Sequence, residues 1–153
     1  MDRIEPPVSY LFKVSIANAL GIGSSDAYFQ EVSGIGASID VEEIREGGNP
    51  DSVFYLPKSV TYEPLVCSRG LAPFGSDLLS WCFDTLSQDY GIVVQKNIIV
   101  KLLNRDASGS AFMTWNFYGA IPVKWSVSNF NAMESKIAIE TIEFKYNRMT
   151  VES

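Results

Sequence analysis

The chain contains no histidine, and that gap removes the commonest general base, the commonest metal ligand and the usual partner of a nucleophilic serine or cysteine. Most hydrolase mechanisms are disfavoured on that ground, and an enzyme is not expected. Cysteine is nearly as scarce. Cys67 and Cys82 have no partners at metal-ligand spacing, which argues against a thiolate metal site. Both are expected to be small core residues, since free cysteine is among the most buried residue types. Lysine and arginine form no cluster, and a formal net charge of −6 over 153 residues argues against a surface built to grip phosphates. No apolar run approaches the length of a bilayer crossing. The segment Met1 to Val14 carries charges and the pair Pro6-Pro7 where a signal peptide would have its apolar stretch. Folding in a cytoplasm, without membrane anchoring, is therefore expected.

What is present suits an ordinary globule. Apolar residues make up 46% of the chain and charged residues 20%, far from disordered or disulfide-dense compositions. A single domain over residues 1–153 is expected, because a chain of this length buries roughly 70% of its unfolded surface.

Strand periodicity dominates. Tyr10, Phe12, Val14 and Ile16 alternate with Leu11, Lys13 and Ser15, which predicts a first strand. The small polar stretch Asn18 to Ala27 reads as a loop. From Ile35 the alternation resumes, with Ile35, Ala37, Ile39 and Val41 on one face and Ser38, Asp40 and Glu42 on a wet, acidic face. The turn-rich run Glu46-Gly47-Gly48-Asn49-Pro50-Asp51 and the β-prone Val53 to Leu56 make this region a long hairpin.

Between Gly75 and Gly91 the period changes. Leu78, Leu79, Cys82, Leu86 and Tyr90 fall near one helical face, opposite Asp77, Ser80, Asp84, Ser87 and Gln88. Ser76 or Asp77 can cap the first turn and Gly91 suits the end. Strands are then expected at Asn97 to Leu103, Ala111 to Ile121, Val123 to Val127 and Ser135 to Tyr146, with a turn at Asp106 to Gly109. The expected fold class is mainly β: an antiparallel barrel or sandwich with one flanking α-helix.

No constellation points to chemistry. Alternation splits Asp40 and Glu42 from Glu43, so the acidic run reads as solvated surface. The glycines of Ser33-Gly34-Ile35-Gly36 and Gly47-Gly48 lack the helix and the lysine that a phosphate loop requires. In Met113-Thr114-Trp115-Asn116-Phe117, alternation puts Trp115 and Phe117 toward a core and Thr114 and Asn116 on a polar face. A monomeric β-sandwich binding a ligand near Trp115 and Trp125 is one reading of this pattern. Self-association through strand edges is the other.

Several blocks carry more than periodicity. They are Phe29-Gln30-Glu31-Val32-Ser33-Gly34, Val41-Glu42-Glu43-Ile44-Arg45-Glu46-Gly47-Gly48, Ser68-Arg69-Gly70-Leu71, Met113 to Phe117, Pro122-Val123-Lys124-Trp125 and Ala138-Ile139-Glu140-Thr141-Ile142-Glu143. Together they resemble the tail tube proteins of contractile phage tails, and most of all the inner tube proteins of phage-tail-like contractile injection systems. The resemblance spans Tyr10 to Tyr146. It departs from the pattern at Lys58, where a glycine often follows Leu-Pro, and at Cys67, where a basic residue often precedes Arg-Gly. The secreted tube protein of type VI systems is a more distant relative.

The resemblance implies a non-catalytic subunit without cofactor or metal, six copies closing into a ring and rings stacking into a hollow tube within a sheath. Baseplate and terminator or cap proteins would meet the ends of the tube, and protein or nucleic-acid cargo would pass through the lumen. A baseplate-proximal ring protein of the same family is the alternative role. Carried onto this sequence, Ser38, Asp40, Glu42, Thr114 and Asn116 are the candidate lumen-facing residues. Glu46, Gly47, Gly48, Asn49, Pro50 and Asp51 are the candidates for contact with the next ring.

Overall fold

The computed structural model describes residues 11–17, 27–48, 51–71, 77–87, 93–103, 111–128, 133 and 138–152. The expected loop from Asn18, the Asp106 to Gly109 turn, Ser76 and Gly91 at the helix ends, and Asn49 and Pro50 of the hairpin tip lie outside them. Within them run ten strands and one helix: β1 (Leu11–Ala17), β2 (Ala27–Phe29), β3 (Glu31–Ser33), β4 (Ala37–Arg45), β5 (Val53–Tyr62), β6 (Leu65–Gly70), α1 (Asp77–Ser87), β7 (Lys96–Leu103), β8 (Ala111–Val127), β9 (Ile139–Lys145) and β10 (Arg148–Glu152).

The strands form two antiparallel sheets. In the larger, the order is β2-β1-β7-β8-β9-β6-β3, with β10 added to β8. Its two ends, β2 and β3, are consecutive in the chain, with only Gln30 between them, and the Gln30 N–H donates to the Ser68 carbonyl at 3.1 Å. The sheet therefore curls back on itself into a barrel, which leaves β2 and β3 without the exposed edges of a flat sheet.

Register explains the core. Val14 lies opposite Val100, which lies opposite Trp115, while Ile16, Ile98 and Phe117 form the next row. On the far wall Val32, Cys67 and Ile142 make a row, and Leu65 faces Phe144. With a side-chain period of two, these rows all point inward. Val14, Leu65, Cys67, Ile98, Val100, Phe117, Ile142 and Phe144 are fully buried. Each large apolar side chain so buried contributes about 1.5–3 kcal/mol.

Helix α1 lays Leu78, Leu79, Trp81 and Cys82 against this barrel. The expected stripe included Leu86, which is half-buried, and passed over Trp81. Trp81 earns its burial by stacking on Phe144, with centroids 6.0 Å apart. Its indole N–H donates to the Val94 carbonyl at 2.8 Å.

Four differences from the sequence expectation have physical causes. The strands β2, β3 and β6 are too short or too mixed to show a period, and β10 follows β9 after a tight connection at Tyr146 and Asn147. Ala27 belongs to β2 rather than to a loop. The two segments expected on either side of Pro122 are one strand of 17 residues. Its register on β9 shifts between Pro122 and Lys124, which lets a residue without an N–H sit at an irregularity in the ladder. Finally, the apolar face of β4 is not covered: every residue of β4 is exposed.

Candidate functional site

The uncovered β4 belongs to the second sheet, a two-stranded ribbon with β5. Nine residues of β5 out of ten are exposed as well, the exception being Tyr62 at its base. Neither strand pairs with any other described strand. An isolated two-stranded ribbon is marginal in water, because it has no second layer to bury its faces. Here it is also apolar: Ile39, Val41, Ile44, Phe54, Tyr55, Leu56 and Val60 are all exposed, with Tyr55 at 65% and Phe54 at 58%. Contiguous apolar surface of this kind marks an interaction site.

The ribbon's faces are set by its register. Ser38 pairs with Thr61 and Ile39 with Val60, after which the register shifts and Val41 meets Pro57. Two residues of β5, Lys58 and Ser59, therefore oppose Asp40, as in a β-bulge. Below the bulge the Ser38 face is polar. Above it, Glu42 pairs with Leu56 and Ile44 with Phe54, so the face expected to be wet and acidic carries apolar side chains near the tip. On the opposite face Arg45 Nε donates to Glu43 Oε1 at 3.2 Å. Alternation along β4 places Ile44 on this face but cannot show Leu56 and Phe54 beside it, because they and the bulge lie on its partner.

At the tip, Gly47 and Gly48 lie in a turn, and Gly48 has φ of +98°, a left-handed conformation that suits glycine. Glu46, Gly47, Gly48 and Asp51 are all exposed.

Thr114 and Asn116 lie elsewhere, half-buried on the outer face of β8. Thr114 has Lys101 on one side and Glu152 on the other, and Asn116 has Ile99 and Thr150. Tyr118 continues this face, with the Arg148 guanidinium 4.4 Å from its ring centroid. No described strand pairing joins this patch to Ser38, Asp40 and Glu42. The expected site residues therefore form two polar groups, one on each module. Strand β10 bounds the second group and, among the described strands, pairs on one side only, with β8. Among the described strands β4, β5 and β10 are therefore open edges, whose outward backbone donors and acceptors meet no other described strand.

The two tryptophans of the ligand-binding reading are differently placed, Trp125 being 39% exposed. Trp115 packs against the core, and the Trp125 indole N–H donates to Glu140 Oε1 at 2.9 Å while Phe83 meets its ring edge-on at 4.9 Å. Glu140 is 2% exposed, and its other oxygen accepts from Arg69 Nε at 3.0 Å. A cleft of about 610 Å³ runs beside α1 and is lined by Asp77, Ser80, Trp81, Asp84, Thr85, Val94 and Lys96. Among the described residues no three His, Cys, Asp or Glu side chains come close enough to hold a metal, and no helix is long and apolar enough to cross a membrane. Burial pushes the Cys82 thiol up to about 12, with the Glu140 carboxylate adding to the effect, and drives the Cys67 thiol higher still. Both are unreactive at neutral pH.

A small β-barrel with a helix, an apolar ribbon detached from it and strand edges left open among the described residues is a subunit shaped for joining other chains. The sequence matches the family of the T4-like virus tail tube protein gp19 over residues 8–150. The chain belongs to that family, and its role is that of a structural tube subunit.

Solved structures agree. A chain in the anti-feeding prophage (AFP) baseplate superposes with a TM-score of 0.76 at 25% identity, covering 99% of this chain and 97% of that one. A chain in the sheath/tube terminator of the extracellular contractile injection system PVC gives 0.74 at 27%, covering 99% and 100%. One in the PVC sheath-tube complex gives 0.73 at 26%, covering 97% and 90%. No curated protein matches at the level of sequence.

Proposed function

We propose that residues 1–153 are one tube domain, that six copies close into a ring, and that rings stack into the hollow inner tube of a contractile phage-tail-like particle. The observation that carries this reading is the β4–β5 ribbon, whose two exposed faces and two open edges are left for other copies of the chain. Ring closure pairs the edges of β4, β5 and β10 that would otherwise template uncontrolled association. Ser38, Asp40, Glu42, Thr114 and Asn116 face the lumen. A wall of this polarity and acidity lets protein or nucleic acid slide without sticking. The tip from Glu46 through Gly47, Gly48, Asn49 and Pro50 to Asp51, with the apolar side chains of Ile44, Phe54 and Leu56 behind it, meets the next ring. That contact is head-to-tail, the kind that propagates into an open-ended assembly.

The subunit performs no chemistry and takes no cofactor. A sheath surrounds the tube, baseplate and terminator or cap proteins meet its ends, and the tube stays rigid while the sheath shortens. Assembly takes place in the bacterial cytoplasm, and the product becomes part of a released particle. Likeness to a chain of the AFP baseplate supports a second reading, a single ring next to the baseplate.

Negative-stain electron microscopy of the purified protein tests both. Stacked tubes are expected, and isolated rings of uniform size would select the baseplate-proximal role. A monomer by light scattering across low and high salt, with neither rings nor tubes, would overturn both. Shortening the Glu46 to Asp51 tip to a two-residue turn is expected to leave folded subunits that no longer stack.

A further inference from the structure

The ribbon leaves the barrel at two neighbouring points, residues 34–36 and 62–64. These are fastened to each other. The Glu63 N–H donates to the Gly36 carbonyl at 3.2 Å, and Gly34, at φ +79°, lies so close to the Pro64 carbonyl that a Cβ would stand 1.9 Å from its oxygen. These contacts close the root of the ribbon.

Tyr146 reaches across that gap. Its hydroxyl donates to the Glu63 carbonyl at 2.6 Å, and its ring lies 5.6 Å from that of Tyr62. On its other side the same ring meets Phe117, a fully buried core residue, edge-on at 4.7 Å. Tyr146 also stands in the connection between β9 and β10. The next residue, Asn147, donates its N–H to the Tyr118 carbonyl at 2.8 Å, and Arg148 begins β10 opposite Tyr118. One residue thus joins the ribbon root and the core through its side chain and leads through its backbone into the start of β10.

We propose that Tyr146 is the positioning residue that fixes the β4–β5 ribbon relative to β10, and so sets the angle between the edges that one copy offers its neighbours. A closed ring tolerates one such angle, whereas a ribbon free to swing would close rings of varied size or none. The consequence for assembly rests on the tube reading above; the clamp itself does not.

The test compares the wild-type chain with Tyr146→Phe, which keeps the ring and removes the hydroxyl. Spin labels are placed at Lys58→Cys on β5 and Glu152→Cys on β10, both exposed, while the buried Cys67 and Cys82 stay unlabelled. In dilute, unassembled protein the distance distribution is expected to be narrow for the wild type and roughly twofold broader for the variant. The protomer concentration needed for tubes is expected to rise roughly tenfold, the size expected of one lost hydrogen bond. Equal widths, or a wild-type distribution as broad as the variant's, would overturn the proposal. Should Tyr146→Phe fail to fold, Tyr62→Ala removes the ring packed against it and carries the same comparison. If the wild-type chain forms neither rings nor tubes, the tube reading falls while the distances still decide the clamp.

Discussion

Arg69 and Glu140 are register partners across β6 and β9, and inside the barrel the arginine Nε donates to Glu140 Oε2 at 3.0 Å. The guanidinium also lies 5.4 Å from the centroid of Phe29. Its Nη2 is buried with no hydrogen-bond partner among the described residues. The arginine therefore depends on this one carboxylate for its compensation. Glu140→Ala is expected to destabilise the subunit by about 3–5 kcal/mol, because it leaves a buried charge unpaired. The double change Arg69→Met with Glu140→Leu is expected to recover much of that loss. Urea unfolding followed by Trp fluorescence measures both, and equal losses in the single and double variants would contradict the assignment.

Gly34 meets a different constraint. Its left-handed φ and the Pro64 carbonyl each exclude a side chain. Gly34→Ala is expected to lose about 2–4 kcal/mol, the strain of the conformation plus the displaced backbone. Gly47→Ala, where a Cβ meets nothing within 4 Å, is expected to stay within about 0.5 kcal/mol of wild type. Thermal melts of the two variants make the comparison.

Alkaline pH is expected to weaken the fold. The Cys67 and Cys82 thiols are both raised above their ordinary value of 9.0, first by burial. Above about pH 9 the unfolded chain has released protons that the native chain still holds. Stability is then level below that pH and falls as pH rises through it. The slope approaches about 1.4 kcal/mol per pH unit for each thiol. Tyr146, raised by burial and then by Tyr62 and Glu63, adds loss in the same direction at still higher pH. Melting temperatures from pH 7 to 11 should show the decline, and Cys67→Ala with Cys82→Ala should flatten its first part.

The ribbon's exposed aromatics are expected to matter only between subunits. Phe54→Ser combined with Tyr55→Ser should leave the melting temperature of the dilute subunit within a few degrees of wild type, since neither side chain is packed in the barrel. Tube yield in sedimentation should fall at least tenfold, as expected when apolar anchors leave an interface. Unchanged yield would remove the ribbon from the assembly contact.

How much of this was legible beforehand follows from what periodicity can report. Phe12, Val14 and Ile16 show a strand because one face meets a core, and α1 shows a stripe because it lies on a sheet. Three-residue strands such as β2 and β3 are too short to repeat a two-residue period. Trp81 was missed because a helical wheel cannot anticipate Phe144 from β9 as its stacking partner. The ribbon misled in a more instructive way: Ile39 and Val41 alternate like core residues, yet both are exposed and no described element covers them. Tyr146 carried no signal at all, since its role depends on a carbonyl 83 positions away.

Strand β8 has one further consequence. Its first half is bonded to β7 and β10 and its second half to β9, so a single backbone about 55 Å long runs from the open edge into the closed barrel. A push on the outer rim of the subunit is then borne by covalent bonds as well as by hydrogen bonds. In the tube proposed above, that continuity builds stiffness along β8 into the primary structure of every repeating unit.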